Sequence, residues 1–180
     1  MNAVTKQTMV ELDERMIHQY KIPLEKMLES AGKGLAALIQ ELYPDATRIL
    51  VLAGSGNNAG GGFVAARHLS EKGYDVRVIL VREECFLKPV PKTQYEQLPD
   101  SIMTGISSEA SDEDLSQLIQ QSSVVIDALL GYGTDGAAVG EVRRLIESAN
   151  THARQVVALD FPSGLNPDEG PTEEPVMRAD

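Results

Sequence analysis

The chain has 180 residues, 42% hydrophobic and 24% charged, a balance that suits one globular domain with a full core. A formal net charge of −11 argues against general affinity for nucleic acid or anionic membrane, and no apolar run reaches the roughly 18 residues of a membrane span. Cys85 is the lone cysteine, which excludes an intrachain disulfide, and residues 1–7 lack the apolar core of a signal peptide, so a cytoplasmic protein is expected.

Met9, Leu12, Met16, Ile17 and Tyr20 share one face of a helix predicted near 8–20. Pro23 stands where a second helix starts. Leu24, Met27, Leu28, Ala31, Leu35, Leu38, Ile39 and Leu42 form its wide apolar stripe, which Pro44 and Asp45 end. That stripe suits a core or a dimer interface, and a homodimer is expected. From there strand and helix alternate. Strands are predicted over 48–53, 75–81, 102–106, 124–130 and 155–161, and helices over 60–72, 92–98, 111–121 and 138–150. The runs 124–126 and 156–159 are apolar on both faces, as central parallel strands covered by helices should be. The alternation implies a doubly wound α/β sheet with right-handed crossovers. The acidic stretch 109–114 reads as a solvated helix cap. His18, His68 and His152 are scattered without metal-ligand spacing and read as surface or packing residues.

In such a sheet ligands bind at the carboxyl ends of the strands, where strand order reverses. Three predicted strands end in polar, glycine-containing segments. The first is Gly54-Ser55-Gly56-Asn57-Asn58-Ala59-Gly60-Gly61-Gly62, read as a turn that lets backbone N–H groups approach a ligand. Its paired asparagines add amides that both donate and accept, so it grips something besides phosphate. The second runs from Asp127 through Gly131 and Gly133 to Gly136, and the third is Asp160-Phe161-Pro162-Ser163-Gly164-Leu165. Asp127 and Asp160 end buried strands and need compensating partners, unless they merely cap loops. Taken alone, Gly54, Gly56 and Ala59 also fit an ordinary dinucleotide fingerprint. The ribose-binding acid expected about 20 residues on is poorly matched, however. Asp75 starts the second strand instead of ending it, and Glu83 and Glu84 come late.

Together these segments resemble the YjeF N-terminal domain family, the NAD(P)HX epimerases. The family pattern is a G-x-G-N-N-G-G-D-G turn, a D-A-x-x-G strand end and a D-x-P-S-G-L strand end. This chain carries residues 54–62, Asp127-Ala128-Leu129-Leu130-Gly131 and Asp160-Phe161-Pro162-Ser163-Gly164-Leu165 in the same order. Met27-Leu28-Glu29-Ser30-Ala31-Gly32 and Ala65-Ala66-Arg67-His68-Leu69 match further family segments, and the resemblance runs from about residue 8 to the C-terminus.

The resemblance implies a Rossmann-like three-layer α/β/α sandwich with a mostly parallel central sheet. It implies interconversion of the R and S epimers of hydrated NADH and NADPH, paired with a separate dehydratase. It places nucleotide contacts on Asn57, Asn58, Ala59, Gly60, Gly61, Gly131, Tyr132, Gly133, Thr134, Asp135, Gly136, Ala137 and Asp160. It places a potassium ion on Asn58, Asp127 and Ser163, whose oxygens suit a hard cation. Asp160 is the candidate proton donor and acceptor. Arg82, near a lysine position of some relatives, is a poor proton donor but could neutralise a phosphate.

The chain departs from the pattern where Gly61 replaces the turn Asp and Ala59 replaces a Gly. The family continues into further strands, so a single domain over 1–180 short of those strands is expected. Two readings follow. One is an epimerase, favoured by Asn58, Asp127, Asp160 and Ser163. The other is a catalytically impaired nucleotide-binding or scaffold module, favoured by Gly61.

Overall fold

The computed structural model describes residues 4–133, 136–171 and 174–180. Helix α1 covers Lys6–His18 and α2 covers Leu24–Leu42. Strand β1 (Arg48–Ala53), α3 (Asn57–Glu71), β2 (Asp75–Leu80), α4 (Pro89–Glu96) and β3 (Met103–Ile106) follow. Then come α5 (Asp112–Gln120), β4 (Val124–Ala128), α6 (Gly140–His152) and β5 (Val156–Ala158). The five strands form one sheet in the order β3-β2-β1-β4-β5, and every pairing is parallel. Strand order therefore reverses between β1 and β4.

Alternating side chains of β1 feed two cores. Ile49, Val51 and Ala53 pack with α2 and α3 on one face, together with Val76, Val78 and Ile126. Leu50 and Leu52 pack with Leu115 and Ile119 of α5 and Leu145, Ile146 and Ala149 of α6 on the other. This is the expected three-layer α/β/α sandwich. Among the described residues, no helix is long and apolar enough to cross a membrane.

The predicted strand over 48–53 and helix over 24–42 are observed at those bounds. The last two strands are shorter than predicted. Strand β4 stops at Ala128, where the Asp127 carboxylate takes the Leu129 N–H. Strand β5 stops at Ala158, and two residues on Asp160 adopts φ +67°, which turns the chain out of the ladder. The acidic stretch caps α5 as read: Ser111 accepts from the Asp114 N–H, with Asp112, Glu113 and Asp114 in the first turn.

The largest correction concerns the glycine-rich segment. Its second half is not a turn: α3 begins at Asn57, with Gly56 as N-cap. Gly60, Gly61 and Gly62 lie inside the helix because packing leaves no room for side chains. A Cβ on Gly60 would stand 2.7 Å from Leu28 Cδ1, one on Gly61 2.7 Å from Leu159 Cδ2, and one on Gly62 2.6 Å from Ala128 Cβ.

Candidate active site

The site forms at the carboxyl ends of β1, β4 and β5, on the reversal of strand order. Close backbone approach builds it. The Gly54 N–H donates to Ala128 O at 3.1 Å, and a Cβ on Gly54 would stand 1.9 Å from Leu129 O. Only glycine lets the β1 end pass the β4 end this closely. Gly131 is confined in the same way, since its Cβ would fall 3.0 Å from Asp160 Oδ2 and 3.4 Å from Asn58 Cβ. The three strand-end segments therefore meet at one place.

At its base, Asp127 is fully buried. Its Oδ1 accepts from Ser163 Oγ at 2.6 Å and from the Leu129 N–H at 3.2 Å, and its Oδ2 accepts from the Ser163 N–H at 2.7 Å. Ser163 Oγ in turn accepts from the Leu130 N–H at 2.9 Å. All the donors are neutral, and no cationic side chain pairs with Asp127 among the described residues. Burial pushes its carboxyl up to about 6, against the lowering effect of the Ser163 and Leu129 hydrogen bonds. Just above, Asn58 Nδ2 donates to Leu130 O at 2.7 Å. The Asn58 Oδ1 accepts no hydrogen bond among the described residues.

Asp160 stands at the rim. Its Oδ2 accepts from the Tyr132 N–H at 3.0 Å. Although the residue is exposed, protein crowds its carboxyl enough that lost hydration raises it above the ordinary carboxylate value. The Tyr132 N–H works against that rise and the charge of Asp13 adds to it. Tyr132 is half-buried, and its hydroxyl donates to Asp13 Oδ2 of α1. Burial first, and that bond second, raise the phenol well above its usual range. The N-terminus of α3 points into the same space. The first-turn N–H groups of a helix, here those of Gly56 to Ala59, have no intrahelical partner and attract anions.

The structure thus brings Asn58, Asp127, Ser163, Gly131, Tyr132 and Asp160 together. Asn57 is exposed at the start of α3. Ala59, Gly60 and Gly61 are buried, so they can offer a ligand backbone only. Gly133 and Gly136 are exposed and Ala137 is half-buried, while Thr134 and Asp135 lie outside the described residues. Asp13 is the participant that sequence reasoning missed. Its bond to Tyr132 spans 119 residues, and no local pattern announces it.

Comparison with known proteins agrees with this fold. The family model for the YjeF-related protein N-terminus matches residues 24–180. The NAD(P)H-hydrate epimerase of Rhodopirellula baltica is 33% identical over 178 residues, covering 98% of this chain and 71% of its own. That of Elusimicrobium minutum is 30% identical, covering 100% of this chain and 83% of its own. The bifunctional NAD(P)H-hydrate repair enzyme Nnr of Thermofilum pendens is 36% identical over 94% of this chain, which spans only 32% of that longer relative. Among solved structures, the yeast protein YNL200c superposes with a TM-score of 0.88 at 23% identity, covering 99% of this chain and 78% of its own, a likeness of fold. With the matched segment spanning the whole sheet and all three strand-end motifs, the chain belongs to the YjeF-related protein N-terminus family.

Proposed function

We propose that the protein is an NAD(P)H-hydrate epimerase that interconverts the R and S forms of hydrated NADH and NADPH. The observation that carries this reading is the convergence of Asp160, Asn58 and the Asp127–Ser163 pair at the carboxyl ends of the strands. A chain that only scaffolds has no physical need to bury a carboxylate there without a counter-charge. Curated relatives of comparable span carry the epimerase name. Others are bifunctional repair enzymes, which supports functional pairing with a dehydratase.

The reaction asks for one proton to move twice. The carbon that inverts bears a hydroxyl and a ring nitrogen. Asp160, held by the Tyr132 N–H, gives its proton to the hydroxyl as the nitrogen lone pair expels water. Water then adds to the opposite face and returns a proton to the carboxylate. The raised Asp160 value keeps more of this group protonated than a free aspartate would be. The helix start at Asn57 and Asn58 suits the pyrophosphate or an amide group of the nucleotide.

The donor set also fits potassium. Asp127 supplies a buried carboxylate without a counter-charge, Ser163 a hydroxyl oxygen and Asn58 an uncommitted amide oxygen. A cation held there would neutralise Asp127 and favour negative charge in the nucleotide beside it.

Gly61 bears on the second reading, a scaffold without turnover. Any side chain at this position must displace the end of Leu159, the residue before Asp160. Purified R-epimer of hydrated NADH, incubated in potassium buffer and resolved by chromatography, tests both readings. The unmodified protein is expected to produce the S form. No turnover from it, but turnover from Gly61→Asp, would mark a pocket kept without activity, and failure of both would favour the scaffold.

A further inference from the structure

Helix α1 lies outside the matched family segment and buries none of its residues, yet it is fastened to both site loops. Asp13 Oδ2 accepts the hydroxyl of Tyr132, on the loop after β4. The Lys6 N–H donates to Asp168 Oδ1 at 2.9 Å, on the loop after β5. Asp168 is itself set in place by Asn166, whose Oδ1 accepts the N–H groups of Asp168 and Glu169. One helix therefore bridges the two loops that carry Tyr132 and Asp160.

We infer that Asp13 is a positioning residue for the reaction: by holding the Tyr132 hydroxyl it fixes the Tyr132 backbone N–H that orients the Asp160 carboxylate. The links are consecutive. Asp13 accepts from the phenol, the phenol belongs to the residue whose N–H donates to Asp160 Oδ2 at 3.0 Å, and the chain just before Tyr132 runs close beside that carboxylate, since a Cβ on Gly131 would stand 3.0 Å from Asp160 Oδ2. Asp160 sits at φ +67°, a backbone state uncommon for non-glycine residues though Asp enters it more readily than most, and the Tyr132 N–H is the bond that holds its carboxylate there. The Asp13 carboxylate touches no reacting atom in this scheme, and its charge acts on Asp160 only as a smaller, additional influence.

This inference rests on the epimerase reading, so its test has two independent readouts. The first is kcat and KM for hydrated NADH with Asp13→Ala, Asp13→Asn, Tyr132→Phe and the Asp13→Ala/Tyr132→Phe double variant. A misplaced carboxylate should lower kcat about tenfold in Asp13→Ala with KM within about twofold. Asn keeps an oxygen to accept the phenol proton, so Asp13→Asn should recover most of the loss. The double variant should be no worse than the poorer single one, because both remove the same bond. The second readout is hydrogen exchange at the Tyr132 amide, which should quicken at least about tenfold in Asp13→Ala while β5 amides stay protected. Asp13 is not in the core, so the variant should fold, and unchanged thermal unfolding verifies this.

Unchanged kcat, or additive losses in the double variant, would overturn the inference, and so would unchanged exchange at Tyr132. If the unmodified protein turns over nothing, the epimerase reading fails by itself. The exchange measurement then still decides whether Asp13 holds the site loop.

Discussion

A carboxylate removed from water and met only by neutral donors binds its proton more tightly, and Asp127 is in that position. The sign of the consequence is fixed by linkage. Between the ordinary value of 3.8 and about 6, the native state holds more protons at this site than the unfolded chain. Stability from this group is therefore full below the window and falls as pH rises through it. A shift of this size corresponds to about 3 kcal/mol. Glu29 has the opposite sign: burial would raise it, but hydrogen bonds from His68 and Arg67 hold it below 4.5, so its contribution is lost only on going more acid. Urea unfolding from pH 4 to 7 in choline buffer should show stability falling across the Asp127 window. Asp127→Asn should remove that slope whatever it does to absolute stability, and potassium should restore stability at pH 7 by binding the native state. A wild-type profile as flat as that of the variant would show that Asp127 is compensated in some other way. The pairing behind this behaviour was half legible in the sequence. Two acids ending apolar strands announce a need for partners, and Ser163 was marked through the family pattern. The Leu129 N–H and the Asp13–Tyr132 bond were not visible, because each depends on how loops close after the strands stop.

Helices α2 and α3 show why a run of glycines was read as a turn. Sequence gives glycine's freedom but not the nearness of a neighbour, and here nearness is the reason for several of them. On α2 the two reasons separate cleanly. Gly32 is buried, and its Cβ would stand 2.5 Å from both Gly61 O and Val64 Cβ on α3. Gly34, two residues on, is exposed and would meet nothing within 4 Å. Gly32→Ala should therefore force the helices apart and destabilise by about 2 kcal/mol. Gly34→Ala should stabilise by about 0.5–1 kcal/mol, since alanine gives up less backbone entropy in a helix. Thermal or urea unfolding of the pair distinguishes the two. Equal effects would mean that α2 shifts freely on α3 and that the close crossing is not what fixes glycine at 32. The α3 boundary has a consequence of its own: a sequence-based start at residue 60 skips Asn57 and Asn58, and it is Asn58, on the first helical turn, whose amide reaches Leu130 O on the loop after β4. The start of α1 at Lys6 was likewise set by a cap, Thr5 accepting from the Thr8 N–H at 3.2 Å, ahead of the first apolar residue that marked the helix.

At the scale of the whole molecule, strand alternation and the apolar central runs were enough to give the doubly wound parallel sheet and so to point to a candidate site at the reversal of strand order, because parallel sheets leave few arrangements open. Charge is the property that the fold does not explain. The protein carries a net charge of −11, and its proposed substrate is a dinucleotide with an anionic pyrophosphate. Long-range repulsion should slow their encounter, while the α3 N-terminus attracts the anion only within a turn of helix. The screening length shrinks from about 30 Å at 0.01 M salt to about 8 Å at 0.15 M, so added salt removes the repulsion and leaves the local attraction. With potassium held fixed and choline chloride raised over that range, kcat/KM for hydrated NADH should increase, by about threefold or more. Hydrated NADPH, with one more phosphate, should gain more than hydrated NADH. A rate that stays flat or falls would mean that local positive potential at the strand ends outweighs the charge of the whole, and the difference between the two substrates would then vanish or reverse.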